Sequence, residues 1–285
     1  MSVSALSSAS PFVASGGSFG AMLRGWREHR RYRQMELALE VEISTRHLSF
    51  IENGRSRPSR EMILRLAEFL DIPFREQNDL LIAAGFAPEY GARSLKDPSL
   101  SEVRRAVGLM LSSLEPCPAL AVDRRWNLVE ANRPAKALLA GVPEELLRGD
   151  VNVLRVSLHP RGLAPQILNL SEWHAYVLGR LRRDIAITGD RQLQVLLAEL
   201  ESYVSPNSRA RAAKGTAIAG ESGPGLPVLV PFRLRTPVGD LSFVSTTTVF
   251  GSALDVTVSE LAIESFLPAD EATAEALKTL IHGAS

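Results

Sequence analysis

The stretch Gln34-Met35-Glu36-Leu37-Ala38-Leu39-Glu40-Val41-Glu42-Ile43-Ser44-Thr45-Arg46-His47-Leu48-Ser49-Phe50-Ile51-Glu52-Asn53-Gly54 decides the first part of the fold. Met35, Leu37, Ala38 and Val41 form a stripe of helical character, and Leu48 and Ile51 begin another. Between them stands Ser44, whose hydroxyl can accept from the free N–H groups of a first helical turn. Gly54 supplies the left-handed stop that commonly ends a helix. The spacing therefore predicts two short helices joined by a tight turn. At 100° per residue, Leu48, Ile51 and Ser44 share one side of the second helix, and Arg46, Ser49, Phe50 and Asn53 the other. Thr45 stands at its exposed N-terminal edge.

A helix with a buried face and a Thr, Arg, Ser and Phe face is suited to lie in the major groove of double-stranded DNA. There Arg46 can give paired hydrogen bonds to guanine O6 and N7, and the Phe50 ring or the Thr45 methyl can touch a thymine methyl. Outward from this core the helical spacing continues. Phe19, Met22, Leu23 and Trp26 mark a stripe before it; Met62, Ile63, Leu66, Ala67 and Leu70 mark one after it, and Gln77 to Ala84 gives a last short helix. Arg24 to Arg33 also reads as an ordinary solvated face.

Charge supports a nucleic-acid partner only when read locally. The 285 residues carry 32 basic and 32 acidic side chains, so the whole chain is neutral and argues against such a partner. From Gly20 to Arg60, however, nine Arg face five Glu, and from Glu61 to Gly91 two Arg face six acids. Opposite charge is thus segregated along the first hundred residues. The single cysteine, Cys117, excludes an internal disulfide framework and a CxxC site. No stretch of about 20 apolar residues suggests a membrane span, and the serine-rich start lacks a basic secretory leader. The expected location is the cytoplasm, with residues 1–18 as a disordered tail.

The segment Phe19 to Tyr90 resembles the XRE/Cro-type helix-turn-helix domain. The resemblance is carried by Gln34, by Ser44-x-x-x-Leu48-x-x-Ile51-Glu52-Asn53-Gly54, and by Arg57-Pro58-Ser59. It implies phosphate contacts by Gln34 and Asn53, and a DNA-facing set of Gln34, Ser44, Thr45, Arg46, Ser49, Phe50, Asn53 and Arg57. Two positions depart from the family pattern. Glu42 stands where the family often has Gly, and Arg33 where it has a capping Ser or Thr; Arg33 is then a candidate phosphate contact.

After Tyr90 the pattern changes. Leu100 to Leu114 reads as a connecting helix, Ala119 to Asn132 as a hairpin turning at Asp123 to Arg125, and Asn132 to Leu139 as a short helix. Ser171 to Ile187 carries Trp173, Val177, Leu181 and Ile185 on one face, with Arg180, Arg182 and Arg183 read as its wet face or, alternatively, as a contact for a dimer partner or an anionic ligand. Gln192 to Tyr203 follows as a helix and Ser205 to Pro227 as a loop. Val228 to Arg235 alternates as a strand, Leu241 to Phe250 forms a second, and Leu254 to Ile263 a third with a bulge near Ser259. Pro268 to Ile281 closes as a helix. The fold class is therefore multi-domain: an N-terminal all-α helix-turn-helix bundle over 19–91, then a C-terminal α+β domain with an antiparallel sheet over 98–281.

Asp123-Arg-Arg-Trp126-Asn-Leu128-Val129-Glu-Ala-Asn132 resembles the opening hairpin of PAS domains. Together with Asn152-Val-Leu154, Leu158-His159-Pro160, Leu170-Ser-Glu-Trp173, Thr257-Val-Ser-Glu260-Leu and Glu264-Ser-Phe266-Leu-Pro268, it resembles the MmyB-like ligand-binding domain. The resemblance implies a PAS-like sheet with a pocket for a fatty acid or other small apolar ligand, and no further cofactor. Trp126, Leu154, Trp173, Phe232, Phe243 and Phe266 are the candidate lining residues, although residues of these types more often form plain core. Ser245 to Thr248 sit mid-strand, where two inward hydroxyls can either bond a ligand head group or simply pair across the sheet. His159 and His174 lack partners at metal-ligand spacing, so no metal site is expected. Self-cleavage after Ala140-Gly141 or Ala219-Gly220 needs a Ser–Lys pair in strand context, which the sequence does not offer. The expected protein is a homodimeric, ligand-responsive repressor of an operator and not an enzyme. The alternative is a constitutive regulator whose large domain only dimerises or contacts RNA polymerase.

Overall fold

The structure is a computed structural model describing residues 18–93, 95, 97–203, 230–250 and 255–282. The expected N-terminal tail, the loop Ser205 to Pro227 and the strand start at Val228 lie outside the described residues. Two compact units emerge. The first takes in the described residues up to Ala92 with the short stretches 184–194 and 255–256, the second the remainder.

The first unit is built on α1 (Phe19–His29), α2 (Gln34–Glu40), α3 (Thr45–Glu52), α4 (Arg60–Phe69) and α5 (Phe74–Ala83). Serine hydroxyls cap three of these: Ser18 accepts from the Ala21 N–H, Ser44 from His47 and Ser59 from Met62. At α2, where Arg33 replaces the usual cap, the Glu36 carboxylate accepts from the Arg33 backbone N–H at 2.7 Å. Every one of the five helices ends in the same way, on a left-handed residue: Arg31, Glu42, Gly54, Asp71 and Gly85. The two reverse hydrogen bonds of a Schellman stop accompany each, as in Glu42 N–H to Leu39 and Ile43 N–H to Ala38. Only two of these positions are Gly.

The stripes meet in one core of Met22, Leu23, Trp26, Leu37, Leu48 and Ile51 with Ile63, Leu66, Leu80 and Leu81 behind them. Met35 departs from its stripe and is 67% exposed. Its spacing from Leu37 is two residues, which places it away from the face that Leu37, Ala38 and Val41 bury. Gly20 lets α1 approach the end of α3 closely; a Cβ there would lie 2.3 Å from the Glu52 carbonyl oxygen.

In the second unit, α6 (Ser101–Ser113) precedes the hairpin β1 (Ala119–Val122) and β2 (Leu128–Ala131). Four helices follow: α7 (Arg133–Leu138), α8 (Val153–Leu158), α9 (Leu170–Thr188) and α10 (Arg191–Ser202), of which residues 184–194 cluster with the first unit. Then come β3 (Phe232–Thr236), β4 (Gly239–Val249), the single turn α11 (Val256–Ser259), β5 (Ala262–Pro268) and α12 (Glu271–His282). The five strands form one antiparallel sheet in the order β2-β1-β5-β4-β3. Strand pleating divides its residues between two faces. Ala119, Ala121 and Ile263 pack with Val107 and Leu111 of α6, while Leu120, Glu264 and Phe266 point to the opposite side.

Two expectations are corrected. Residues 255–263 are not a bulged strand. Four of them wind into α11, and the strand begins only at Ala262, the first residue that finds a partner on either β1 or β4. Pro268 accordingly ends β5 and does not open the last helix, which starts at Glu271. Asn132 caps α7 as expected and does more. Its amide oxygen accepts from Ala119 and Ala135 N–H groups, and its nitrogen donates to the Leu111 and Cys117 carbonyls.

Candidate DNA-reading surface and ligand cavity

On α3 the apolar side is sealed: Leu48 and Ile51 are 0% and 1% exposed. Thr45, Arg46 and Asn53 are exposed, and Ser49 and Phe50 half-buried. Ser44 lies outside the buried side where the helical projection put it; it is exposed, with its hydroxyl turned to the helix N-terminus. The Arg46 guanidinium lies over the Phe50 ring at 5.3 Å, a cation–π contact that restricts a long exposed side chain. The Asn53 amide nitrogen donates to the Ser49 carbonyl at 2.8 Å and contacts its hydroxyl at 3.3 Å. Arg57 is drawn elsewhere: it donates to the Ala84 carbonyl and lies over Phe86.

A buried charge network fixes this surface from beneath. Arg27 Nε and Nη2 donate to the two oxygens of Glu52, at 2.6 and 3.1 Å, and Nη1 donates to the Tyr32 carbonyl. Gln34 Nε2 donates to Glu52 Oε2 at 2.7 Å. The hydrogen bonds that Arg27 donates to Glu52 raise its pKa further above its already high ordinary value. Arg27 is therefore no part of a solvated face. Its pairing explains how a glutamate at the centre of the Ile51-Glu52-Asn53-Gly54 motif is buried without a stranded charge. Gln34 begins α2 beside the same carboxylate, so one of its amide hydrogens is committed inside the protein.

The second unit holds a cavity of about 100 Å³ between the sheet and helices α7 to α9. Trp126, Leu154, Trp173, Phe232 and Phe266 line it. Phe243 is fully buried one layer behind, with its ring 6.2 Å from Phe232 and 6.3 Å from Phe266. Trp126 reaches the cavity from a left-handed conformation at φ 66°, which is strained for a bulky residue. The preceding turn holds it there. Asp123 Oδ1 accepts from the Arg125 and Asn127 N–H groups, and Asn152 donates to the Arg125 carbonyl. Trp173 Nε1 donates to the Ser157 hydroxyl at 2.9 Å, which satisfies its polar edge in an apolar wall.

The hydroxyls of β4 do not hold the cavity. Thr246 pairs with Ser265, and Thr247 accepts from Arg180 at 2.7 Å. Arg180 itself lines the cavity, against the expectation that it belonged to a wet face; Arg182 and Arg183 remain exposed. The signal was present in the spacing, because Arg180 follows Trp173, Tyr176 and Val177 at i+7, i+4 and i+3 and so shares their face. Glu264 was missed as well. It lies on β5 opposite Thr247 and receives Arg180 Nη1 and Nη2 on its two oxygens at 2.8 and 2.6 Å. Among the described residues no group of three or more His, Cys, Asp or Glu side chains is placed to hold a metal ion. No helix among them is long and apolar enough to cross a membrane.

A capped α2–turn–α3 pair with a sealed inner face and an Arg-bearing outer one defines the helix-turn-helix class, and residues 23–77 match the helix-turn-helix family. Residues 103–280, more than half of the chain, match the MmyB-like transcription regulator ligand binding domain, and the chain belongs to that family. It is a DNA-binding transcription regulator that carries a ligand-binding domain. No curated protein matches. Among solved structures, one described as an RNA-binding Light-Oxygen-Voltage Receptor is similar at 11% identity and a TM-score of 0.23. That alignment covers 92% of this chain and 64% of that one.

Proposed function

We propose that the protein is a cytoplasmic homodimeric repressor whose operator affinity is set by a small apolar or fatty-acid-like ligand bound in a PAS-like second unit. The observation that carries this reading is the cavity itself. It is walled by apolar and aromatic side chains from the sheet and three helices, in a chain that also presents a DNA-reading helix. In this reading Arg46 with Phe50 and Thr45 reads base edges, while Gln34, Ser44, Ser49, Asn53 and Arg57 position the helix on the backbone. Ligand in the cavity shifts the population of protein between an operator-competent and an incompetent arrangement of the two headpieces of a dimer. Half-sites about one helical turn apart follow from such symmetry.

The test begins with an operator selected from random duplexes and followed by fluorescence anisotropy. Arg46→Ala is expected to lower the preference for the operator over a scrambled duplex at least ten-fold, in line with the roughly 1–3 kcal/mol of a bidentate guanine contact. Unchanged affinity and preference would sink the groove assignment. Native mass spectrometry of the purified protein is expected to reveal a dimer with a small molecule retained. A ligand that binds yet leaves operator affinity unchanged argues for the constitutive regulator instead.

A further inference from the structure

Resting on the reading of the protein as ligand-responsive, we propose that α9 carries the effect of the ligand to the DNA-reading unit, and that Arg30 and His29 are the positioning residues that receive it. Trp173, Tyr176, Val177 and Arg180 of α9 line the cavity. The residues of α9 up to Arg183 cluster with the second unit, and its last turn, from Asp184, with the first. Among the described residues, no other element that lines the cavity has a residue in the first unit. A shift of the helix on which the ligand rests is therefore also a shift of a segment that belongs to the DNA-reading unit.

That segment is held by α1. The last carbonyls of a helix have no partner along the helix itself, and a cation is favoured beside them. In α9 the Gly189 N–H takes the Ile185 carbonyl, while the Ala186 and Ile187 carbonyls turn to α1. His29 Nε2 donates to Ala186 at 2.6 Å; Arg30 Nη1 donates to the same oxygen at 3.3 Å and Nη2 to Ile187 at 3.2 Å. Arg30 has a second hold, because its Nε and Nη2 donate to the Leu70 and Asp71 carbonyls at the end of α4, at 2.8 and 2.7 Å. One planar guanidinium thus ties the ends of two helices together, a geometry that the single ammonium of a lysine cannot reproduce.

From α1 the route to the DNA-reading helix is short. Arg30 and His29 both lie against the Trp26 ring, at 5.4 and 5.6 Å from its centre. Trp26 is fully buried in the core that also packs Leu48 and Ile51 of α3. Arg27, on the same helix, is paired with Glu52 of α3. Along α9, the rise from Arg180 in the cavity wall to Ala186 is about 9 Å. Packed interiors resist compression and transmit a displacement. A ligand that favours one setting of α9 therefore favours one setting of α1 and α3 with it.

Operator anisotropy and calorimetry of the full-length protein, with decanoate as the probe, test this. In the unaltered protein decanoate is expected to change operator affinity at least about five-fold, and operator to change decanoate affinity by the same factor, since coupling is reciprocal. Arg30→Lys combined with His29→Ala keeps the charge of Arg30 and removes its fork. Both ratios are then expected to fall below two-fold while decanoate still binds. Arg183→Pro is the second variant: it leaves α1 to α5 intact and breaks α9 at an exposed position between the cavity wall and Ala186. It too is expected to bring both ratios below two-fold, and it decides the matter if the double variant loses operator binding altogether. Either variant that retains the ratios of the unaltered protein overturns the proposal. No decanoate binding by the unaltered protein, or binding with both ratios at one, overturns the ligand-responsive reading before any variant is made, and this proposal with it.

Discussion

Gly20 and Glu42 carry opposite kinds of backbone information. At Gly20 the missing side chain is space that α3 already occupies, with the Glu52 and Ile51 carbonyl oxygens 2.3 and 2.6 Å from where a Cβ would stand. Gly20→Ala is expected to force α1 and α3 apart and cost about 1–3 kcal/mol, the usual range for overpacking. Urea denaturation gives the stability, and operator affinity is expected to fall with it because α3 moves; an unchanged midpoint contradicts the contact. At Glu42 the backbone sits at φ 57°, where an L side chain is strained by about 1–2 kcal/mol. Glu42→Gly is expected to raise stability by about 0.5–1 kcal/mol after the entropy of a freer unfolded chain is subtracted; a loss on thermal denaturation would count against this. The sequence showed that Glu42 departs from a Gly-preferring position. It gave no sign of the Gly20 contact, since the atoms that need the space belong to a helix distant in the chain.

Helices were easier to read than the strands, for a physical reason. A helical face repeats within one segment, as in Trp173, Val177 and Leu181, whereas a strand is defined by partners that periodicity does not name. The run before Ile263 alternates weakly and reads as a strand, yet its first turn is helical and pairing starts at Ala262. The cavity aromatics were legible as large apolar residues spread over several elements. The Arg180–Glu264 pair was not, because it joins α9 to β5 across the fold. A second such tie joins α8 to α10: Arg155 Nε and Nη2 donate to Glu199 at 2.6 and 2.8 Å, and Tyr203 donates to Glu199 as well. The Arg155 hydrogen bond holds the Glu199 carboxyl below its ordinary range, while burial and then the Glu199 bond push the Tyr203 phenol up to about 12. A depressed carboxyl contributes stability that is present above the unfolded value of about 4.3 and is lost as pH falls through the lower folded value. Glu199→Gln is therefore expected to be less stable than the unaltered protein at pH 6–7, with the difference closing below about pH 4. Urea midpoints across pH 3–7 measure it, and a gap independent of pH rejects the assignment.

The neutral chain is a sum over parts with different tasks. Nine Arg against five Glu lie between Gly20 and Arg60, the stretch that contains α2 and α3, while the acidic excess falls on Glu61 to Gly91, which contains α4 and α5. Operator affinity is therefore expected to fall linearly with added salt on logarithmic axes, and Arg33→Ala to lower the slope by about one, as loss of one phosphate contact does. An unchanged slope removes Arg33 from the interface. The sheet has a different kind of order. Its central strand, β5, is the last in the chain, with β1 on one side and β4 on the other. A ribosome finishes the five headpiece helices early, and N-terminal units fold first during synthesis. Until Ala262–Pro268 emerges, β1–β2 and β3–β4 are separate hairpins with open edges, each marginal alone. A chain that stops short of β5 thus carries all five headpiece helices but lacks the strand that joins its two hairpins into one sheet.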